Sequence, residues 1–220
     1  MSSLLDVAPV VPVVVLKDET QAVPLARALA EGGLPIIELT LRTPSAIEAI
    51  RRIAAEVPEI LVGAGTILDA RQAEQAAAAG AQFLVSPGST PALLDAMDAT
   101  GLPYLPGTST VSEMLAVAER GRTEMKFFPA EAAGGAPYLA ALASPLPQLR
   151  FCPTGGITAA TAGRYLKLPN VGCVGGSWLT PADALAEGDW ARVTKLAAEA
   201  AVPAAPDQRS GRPTCTREHP

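Results

Sequence analysis

Histidine is almost absent from this sequence, since the one residue of this type, His219, is the next to last of 220. Its absence elsewhere excludes Ser-His triads, general acid–base catalysis by imidazole and nearly every zinc site. Any catalysis has to use lysine, carboxylates, hydroxyls and backbone groups. The chemistry open to the chain is therefore narrow.

Cysteines are also few, and none are spaced as C-x-x-C. The three are Cys152, Cys173 and Cys215. An odd count without paired spacing is typical of reduced thiols in a cytoplasmic protein. Cys152 and Cys173 fall in apolar, strand-like segments without a neighbouring base, so we predict core residues and not nucleophiles.

Long apolar runs and an excess of positive charge are missing as well. No apolar run reaches about 18 residues without a charge or a break, which predicts no transmembrane span. The first residues lack the basic region and apolar segment of a secretory signal, so we expect a cytoplasmic protein. The net charge is −5, with acids and bases interspersed, which argues against a nucleic-acid partner. A small-molecule substrate is the expected partner.

Short β-branched runs alternate with alanine-rich helical stretches along the chain. Strand starts recur about every 20–25 residues, the length of one βα unit with a parallel crossover. Eight such units predict an α/β fold of the (β/α)₈ TIM-barrel type. An open doubly wound sheet is disfavoured because no Gly-x-Gly-x-x-Gly turn follows the first strand. Predicted strands cover 10–16, 36–41, 60–64, 82–86, 103–107, 124–127, 150–153 and 171–175, and predicted helices cover 20–30, 45–55, 70–79, 91–99, 111–119 and 159–166.

The last residues differ from the rest of the chain. Residues 131–137 are predicted to form a loop, followed by a short helix over 138–142. Prolines and charged residues without apolar periodicity follow residue 202. We therefore predict a single domain over 1–202 and a disordered C-terminal extension over 203–220.

Lys126 is the residue that most strongly indicates chemistry. It lies between Met125 and Phe127, in an apolar segment closed by Pro129, which predicts a buried strand. Burial disfavours the ammonium form and so makes the amine a usable nucleophile of the kind that forms Schiff bases. The alternative is a lysine whose stem packs in the core while its charged end reaches solvent.

Polar residues collect where the predicted strands end, which is where barrel enzymes have their active sites. The alternation of the second strand puts Glu38, Thr40 and Arg42 on one face, predicted to be the interior. A structural Glu38–Arg42 ion pair is the alternative to a catalytic role. Small or polar residues including Thr66 and Pro87 end the third and fourth strands and leave room near Lys126.

Two glycine pairs follow the seventh and eighth predicted strands. Thr154-Gly155-Gly156 precedes Thr158, a predicted helix N-cap, and Gly175-Gly176-Ser177 ends the other strand. Bare backbone N–H groups beside a helix start can bind phosphate, and the loops after strands seven and eight are the frequent phosphate site of this barrel. Two tight turns without a ligand are the alternative.

Five segments together resemble one enzyme family, the 2-keto-3-deoxy-6-phosphogluconate (KDPG) and 4-hydroxy-2-oxoglutarate (KHG) aldolases. The resemblance runs in order from about residue 10 to residue 200. It implies a TIM barrel, metal-free class I chemistry without a cofactor, usually a homotrimer, and a place in the Entner–Doudoroff pathway. The segments are Glu38–Thr43 (ELTLRT), Gly63–Thr66 (GAGT), Lys126–Glu131 (KFFPAE), Phe151–Ile157 (FCPTGGI) and Gly175–Trp178 (GGSW).

The resemblance also implies a role for each candidate residue. Lys126 would form the Schiff base and Glu38 would act as general acid and base. Arg42 and Thr66 would hold the substrate carboxylate. The remaining substrate contacts implied are Pro87, Phe128 and Thr154, with the phosphate at Gly155, Gly156, Gly175, Gly176 and Ser177.

Other functions remain open on the sequence alone. An aldolase of the same mechanism could act on a related 2-oxo-3-deoxy acid, such as a 6-phosphogalactonate or an unphosphorylated acid. A phosphate-binding barrel could also be an isomerase or epimerase, or bind phosphometabolites without chemistry. The combination of Lys126, Glu38 and Arg42 argues against the non-catalytic alternative.

Overall fold

A computed structural model describes residues 3–202, in which strands and helices alternate along the chain. Short 3-10 turns at Leu4–Asp6 and Glu19–Gln21 precede the first strand and the first helix. The strands are β1 (Val10–Val14), β2 (Ile36–Thr40), β3 (Leu61–Gly65), β4 (Phe83–Val85), β5 (Tyr104–Leu105), β6 (Gly107–Thr108), β7 (Glu124–Phe127), β8 (Arg150–Pro153) and β9 (Val174–Gly176). The helices are α1 (Ala22–Glu31), α2 (Ala46–Glu56), α3 (Ala70–Ala78), α4 (Pro91–Ala99), α5 (Val111–Ala118), α6 (Gly135–Leu142), α7 (Ala159–Leu166), α8 (Ala182–Glu187) and α9 (Trp190–Ala201).

Most element boundaries agree with the sequence predictions to within two residues. β7, β8, α4 and α7 begin and end where predicted. The predicted fifth strand divides at Pro106 into β5 and β6. The predicted eighth strand is shorter than expected, with only an isolated bridge at Val171 ahead of β9.

Three helices differ from the predictions. The prediction of a loop over 131–137 is wrong for residues 135–137, because α6 begins at Gly135. Pro137 is compatible with this start, since the first turn of a helix needs no internal donors. Helices α8 and α9 had no prediction at all.

The strands of the described residues pair in parallel. They form a six-stranded sheet in the order β5-β4-β3-β2-β1-β9 and a three-stranded sheet in the order β6-β7-β8. Isolated parallel bridges join Thr154 to Gly175 and Phe151 to Val171, between the segments around β8 and β9. The molecule is thus an α/β fold whose parallel strands curl into a half-barrel.

Both faces of the sheet are covered, which explains its nearly continuous apolar strands. Every residue of β1, β2 and β4 is buried. Helices pack around the outside by their apolar stripes. Gly32, just after α1, lacks a side chain where Ala197 of α9 lies, so these two helices approach closely.

Among residues 3–202, no helix is both long enough and apolar enough to cross a membrane. Residues 203–220, for which a disordered extension is predicted, lie outside the described residues, and so do Cys215 and His219.

Candidate active site

Lys126 lies on a buried strand, as predicted. It pairs with Gly107 of β6 on one side and with Cys152 of β8 on the other. Its backbone N–H donates to the carbonyl of Pro106 at 2.9 Å. The residue is only 2% exposed, so its amine does not reach solvent along an extended stem.

Glu38 meets Lys126 inside the curved sheet. The Nζ atom of Lys126 lies 3.4 Å from Oε1 of Glu38, and both side chains are almost fully buried. Removing two charges from water is costly, so a pair of this kind is weak evidence for stability and is more typical of a functional site. The alternative Glu38–Arg42 ion pair is wrong, because Glu38 pairs with Lys126 and no ion pair joins it to Arg42 within residues 3–202.

Gly65 makes room for this carboxylate. A Cβ atom at Gly65 would overlap Oε1 of Glu38 and would lie 2.7 Å from its Cδ and Cγ atoms. Gly63, two residues earlier on the same face of β3, likewise has no side chain where the ring of Phe83 lies. The glycines of the GAGT segment are therefore required by close approach and not by turn geometry.

Arg42 does not lie in the interior, which corrects the prediction from alternation. β2 ends at Thr40, so Arg42 belongs to the loop after the strand, where it is exposed. Its Nε–H donates to Oγ1 of Thr66 at 3.0 Å. Thr66 has a φ of +59°, a left-handed conformation that is rare for a β-branched residue. The unusual backbone at Thr66 and its contact with Arg42 are compatible with the predicted substrate-binding role of this corner.

A pocket of about 130 Å³ opens at the carboxyl ends of β7, β8 and β9. Phe128 connects this pocket to the buried pair, because Nζ of Lys126 lies 5.4 Å from its ring centroid. The candidate residues that line the pocket are Arg42, Phe128, Thr154, Gly155, Gly156, Gly175 and Ser177, together with Val13, Val15 and Ile157.

Five candidate residues are not part of the pocket wall: Lys126 and Glu38, which form the buried pair, and the three binding residues Thr66, Gly176 and Pro87. Thr66 reaches it only through Arg42. Gly176 is buried against the ring of Trp178, which occupies the space of a side chain. Pro87 follows β4 and is half-buried, with its backbone packed against Gly107.

The glycine turns at the pocket have conformations that other residues rarely adopt. Gly155 and Gly156 have φ values of +106° and +79°. Gly175 faces the side chain of Thr154, which fills the space of a missing Cβ. Thr158 directly precedes α7, as predicted, and its backbone N–H donates to Oγ1 of Thr161 at 2.9 Å.

Alternation predicted that Thr40 faces the interior, but the sequence pattern did not indicate which group its hydroxyl binds, and it gave Ser109 no role. Oγ1 of Thr40 donates to the carbonyl of Val14 at 2.9 Å, which ties the end of β2 to the end of β1. Oγ of Ser109 donates to the carbonyl of Phe128. The available signal was the position of these hydroxyl residues, Thr40 at the end of β2 and Ser109 directly after β6, because such residues readily bond to nearby backbone groups.

Cys152 and Cys173 are buried free cysteines, as predicted. A hydrogen bond with Cys152 and then burial raise the pKa of the Cys173 thiol well above its ordinary value, which keeps it protonated. A protonated, buried thiol is a poor nucleophile. Among residues 3–202, no three His, Cys, Asp or Glu side chains cluster in a way that could hold a metal ion.

A lysine and a carboxylate buried together below an open pocket, at the carboxyl end of parallel strands, are typical of enzymes that form Schiff bases. Comparison with known proteins gives the family. The profile of the family described as "Aldolase: KDPG and KHG aldolase" matches residues 1–196. This chain belongs to the KDPG and KHG aldolase family and is a carbon–carbon lyase.

Individual relatives are similar over nearly their whole length. The KHG/KDPG aldolase of Escherichia coli is 54% identical over 198 residues, which are 90% of this chain and 93% of that protein. The KDPG aldolase of Legionella pneumophila, solved with pyruvate captured as a covalent carbinolamine, has a TM-score of 0.88 at 44% identity and covers 90% and 96% of the two chains. The aldolase of Zymomonas mobilis, solved with 3-phosphoglycerate, has a TM-score of 0.85 at 46% identity and covers 91% and 94%.

Proposed function

We propose that this chain is a class I aldolase that cleaves 2-dehydro-3-deoxy-6-phosphogluconate (KDPG) to pyruvate and D-glyceraldehyde 3-phosphate, a step of the Entner–Doudoroff pathway. The same site cleaves 4-hydroxy-2-oxoglutarate to pyruvate and glyoxylate, because both substrates share the 4-hydroxy-2-oxo acid end. The buried pair of Lys126 and Glu38, 3.4 Å apart, is the observation that carries this proposal.

The first half of the reaction forms the Schiff base. Transfer of one proton from the Lys126 ammonium to Glu38 across their contact leaves a neutral amine beside a carboxylic acid. The amine attacks C2 of the substrate to give a carbinolamine, and the Glu38 acid protonates its hydroxyl so that water leaves. The product is a protonated imine, with Glu38 again a carboxylate. The carbinolamine reported for the Legionella pneumophila relative supports this sequence of steps.

The second half breaks the carbon–carbon bond. The Glu38 carboxylate takes the proton of the C4 hydroxyl, and the electrons of the C3–C4 bond move to the imine nitrogen as the aldehyde leaves. Glu38 then returns that proton to C3 of the enamine, and water hydrolyses the resulting pyruvyl imine. A single carboxylate thus serves in both directions, and its burial against Lys126 supports this assignment.

Arg42 and Thr66 bind the substrate carboxylate. The planar guanidinium can hold two carboxylate oxygens at once, and Thr66 adds a hydroxyl and orients the Arg42 side chain through Nε. The exposed position of Arg42 at the pocket mouth, free of a Glu38 partner, supports this role. Phe128 and Pro87 wall the pyruvyl end by family resemblance, with Pro87 lying outside the 130 Å³ pocket that Phe128 lines, and Thr154 is a further substrate contact.

The phosphate binds across the glycine turns at Gly155, Gly156, Gly175, Gly176 and Ser177. Four of these five residues line the pocket, and the turn at 155–156 leads into the first turn of α7. A helix start favours anions. The 3-phosphoglycerate in the Zymomonas mobilis relative supports a phosphate subsite in the family.

The closure of the barrel, the extent of the domain, the oligomeric state and the cellular location are also part of the proposal. The strands close into a (β/α)₈ barrel, supported by the Thr154–Gly175 bridge between the segments of β8 and β9 and by the continuity of β5 and β6 across Pro106. Residues 1–202 form one domain. A homotrimer is supported by family resemblance. A cytoplasmic location fits a phosphorylated substrate, which does not cross membranes unaided.

Borohydride trapping tests the proposed function. Reduction in the presence of pyruvate should inactivate the enzyme and add a reduced pyruvyl adduct, which peptide mass mapping should locate at Lys126. Lys126→Ala should give no adduct and essentially no cleavage, while Lys17→Ala, at an exposed lysine, serves as the matched control and should behave like the wild type. An adduct on Lys17 or Lys167, or none, would reject the Schiff base and favour an isomerase instead.

A further inference from the structure

The segment after β7 packs directly against the turn at 155–156. The backbone N–H of Glu131 donates to the carbonyl of Gly155 at 3.1 Å, and that of Ala130 donates to the carbonyl of Thr154 at 2.8 Å. A Cβ at Gly156 would lie 2.9 Å from Cβ and Cγ of Glu131. The stem of Glu131 therefore supports the side of the turn that only glycine leaves open.

The carboxylate of Glu131 is itself held by α7. Its Oε1 accepts a hydrogen bond from the hydroxyl of Tyr165 at 2.7 Å. The Tyr165 residue is completely buried. Burial, and then the hydrogen bond to Glu131, raise the pKa of Tyr165 above its ordinary value, so the hydroxyl stays protonated and keeps donating. Arg164 adds a longer and more exposed contact at 3.4 Å, which contributes little.

Neither residue touches the places where substrate is expected. Gly155 and Gly156 line the pocket, whereas Glu131 and Tyr165 do not. Neither contacts the Lys126–Glu38 pair, whose members bond to each other. Any influence of Glu131 and Tyr165 on the reaction therefore passes through the shape of the turn.

A turn of two glycines has large conformational freedom unless neighbouring groups restrict it. Ordering such a turn only when the ligand binds would cost affinity, whereas a turn held in advance binds more tightly. The backbone bond from Glu131 to Gly155 and the stem of Glu131 beside Gly156 restrict this turn, while the bond from Tyr165 holds the carboxylate end of that stem. These contacts within the protein favour the shape that the turn has in the structure.

We propose that Glu131 and Tyr165 are positioning residues that fix the 155–156 turn in its phosphate-accepting shape and so set the preference for phosphorylated over unphosphorylated substrates. This inference rests on the proposed function, because it concerns the phosphate end of the proposed substrate. It assigns no chemical step to either residue.

Tyr165→Phe tests the proposal by removing only the hydroxyl. We expect KM for KDPG to rise by up to about tenfold, which corresponds to ~1.4 kcal/mol and is the loss if the full net contribution of one hydrogen bond is transmitted to phosphate binding. KM for 4-hydroxy-2-oxoglutarate should change less than about twofold, since that substrate has no phosphate and cannot sense the turn. Inhibition by inorganic phosphate should weaken by the same factor as KDPG binding.

Two further variants separate positioning from general stability. Tyr138→Phe removes a tyrosine hydroxyl that has no hydrogen-bond partner within the described residues, while its ring still stacks on Phe127 at 5.4 Å, and should change neither KM. Glu131→Gln keeps an acceptor for Tyr165 and should stay close to the wild type, while Glu131→Ala should resemble Tyr165→Phe. Melting temperatures establish that each variant is folded.

The outcomes distinguish this inference from the proposed function. Equal losses on both substrates in a folded Tyr165→Phe enzyme, or unchanged KM for both, would overturn the positioning role while the wild type still cleaves KDPG. A wild-type enzyme that does not cleave KDPG would overturn the proposed function itself, whatever the variants do.

Discussion

Gly65→Ala is a small change that should disable the enzyme with little damage to the fold. The added methyl would lie 2.7 Å from Cδ and Cγ of Glu38 and closer still to its Oε1. Carbon atoms in contact are ordinarily about 3.5–4.0 Å apart, so the carboxylate has to move by roughly 0.8 Å or more. The 3.4 Å contact between Glu38 and Lys126 cannot survive that movement unchanged.

The expected size of the effect follows from what is displaced. Loss of a positioned general acid–base group lowers kcat by about 10²–10⁴-fold. Overpacking in a core costs roughly 1–3 kcal/mol, part of which the lower backbone entropy of alanine in the unfolded chain offsets. We therefore expect Tm to fall by about 2–8 °C, since 1 kcal/mol corresponds to about 2–4 °C in a domain of this size.

The assay is continuous measurement of pyruvate release, with Tm measured on the same samples. Gly163→Ala is the matched control, because it adds the same methyl inside α7 where no atom lies within 4 Å. That control should raise stability by about 0.5–1 kcal/mol and leave kcat unchanged. A Gly65→Ala enzyme with nearly normal kcat and Tm would refute the reasoning, since it would mean that the Glu38 carboxylate is neither confined nor needed at its observed position.

Two further predictions concern charge. Ser177→Asp places a negative group at the proposed phosphate site, so KM for KDPG should rise about tenfold or more. A tenfold rise needs only ~1.4 kcal/mol of repulsion. An equal rise in KM for 4-hydroxy-2-oxoglutarate would instead indicate a damaged fold. Glu113 accepts hydrogen bonds from the backbone N–H groups of Ser109 and Thr110, each at 2.8 Å, and these bonds, that from Ser109 first, lower its pKa from the ordinary 4.5. Because the folded-state pKa is depressed, its stabilisation is present above pH 4.5 and is lost as pH falls through the lowered value. Glu113→Gln should therefore lower Tm by about 1–3 °C at pH 7 and by progressively less in acid, whereas a difference independent of pH would contradict the assignment.

The local elements of this fold were predictable because each carries its own pattern. The strand Glu124–Phe127 and the helix Pro91–Ala99 are bounded by glycine, proline or hydroxyl residues that act locally. The missed helix α9 also carried a local signal, which is its apolar periodicity: Val193 and Ala197 are spaced by four residues, and both are buried in the structure. α6 was predicted too short because Gly134, Gly135 and Pro137 suggest a loop when read without their positions in the first turn.

The burial of Lys126 was predictable from the sequence, but its contacts were not. Burial of Lys126 follows from its apolar neighbours, which are adjacent in sequence. Its pairing with Glu38, 88 residues away, depends on how the sheet curls and on the space left by Gly65, and neither is a local property. Alternation failed at Arg42 for a simple reason: period-2 geometry holds only while the strand continues, and β2 ends at Thr40.

The left-handed backbone of Thr66 bears on attempts to raise the thermal stability of this enzyme. A β-branched residue at a φ of +59° lowers the stability of the folded state, whereas Gly or Asn adopts this conformation at a smaller energetic cost. A screen scored on heat resistance alone will therefore favour the loss of the hydroxyl that meets Arg42. Under the substrate-binding role proposed for Thr66, substitution at position 66 would raise thermal stability and lower activity, so a screen must also measure turnover to retain the threonine.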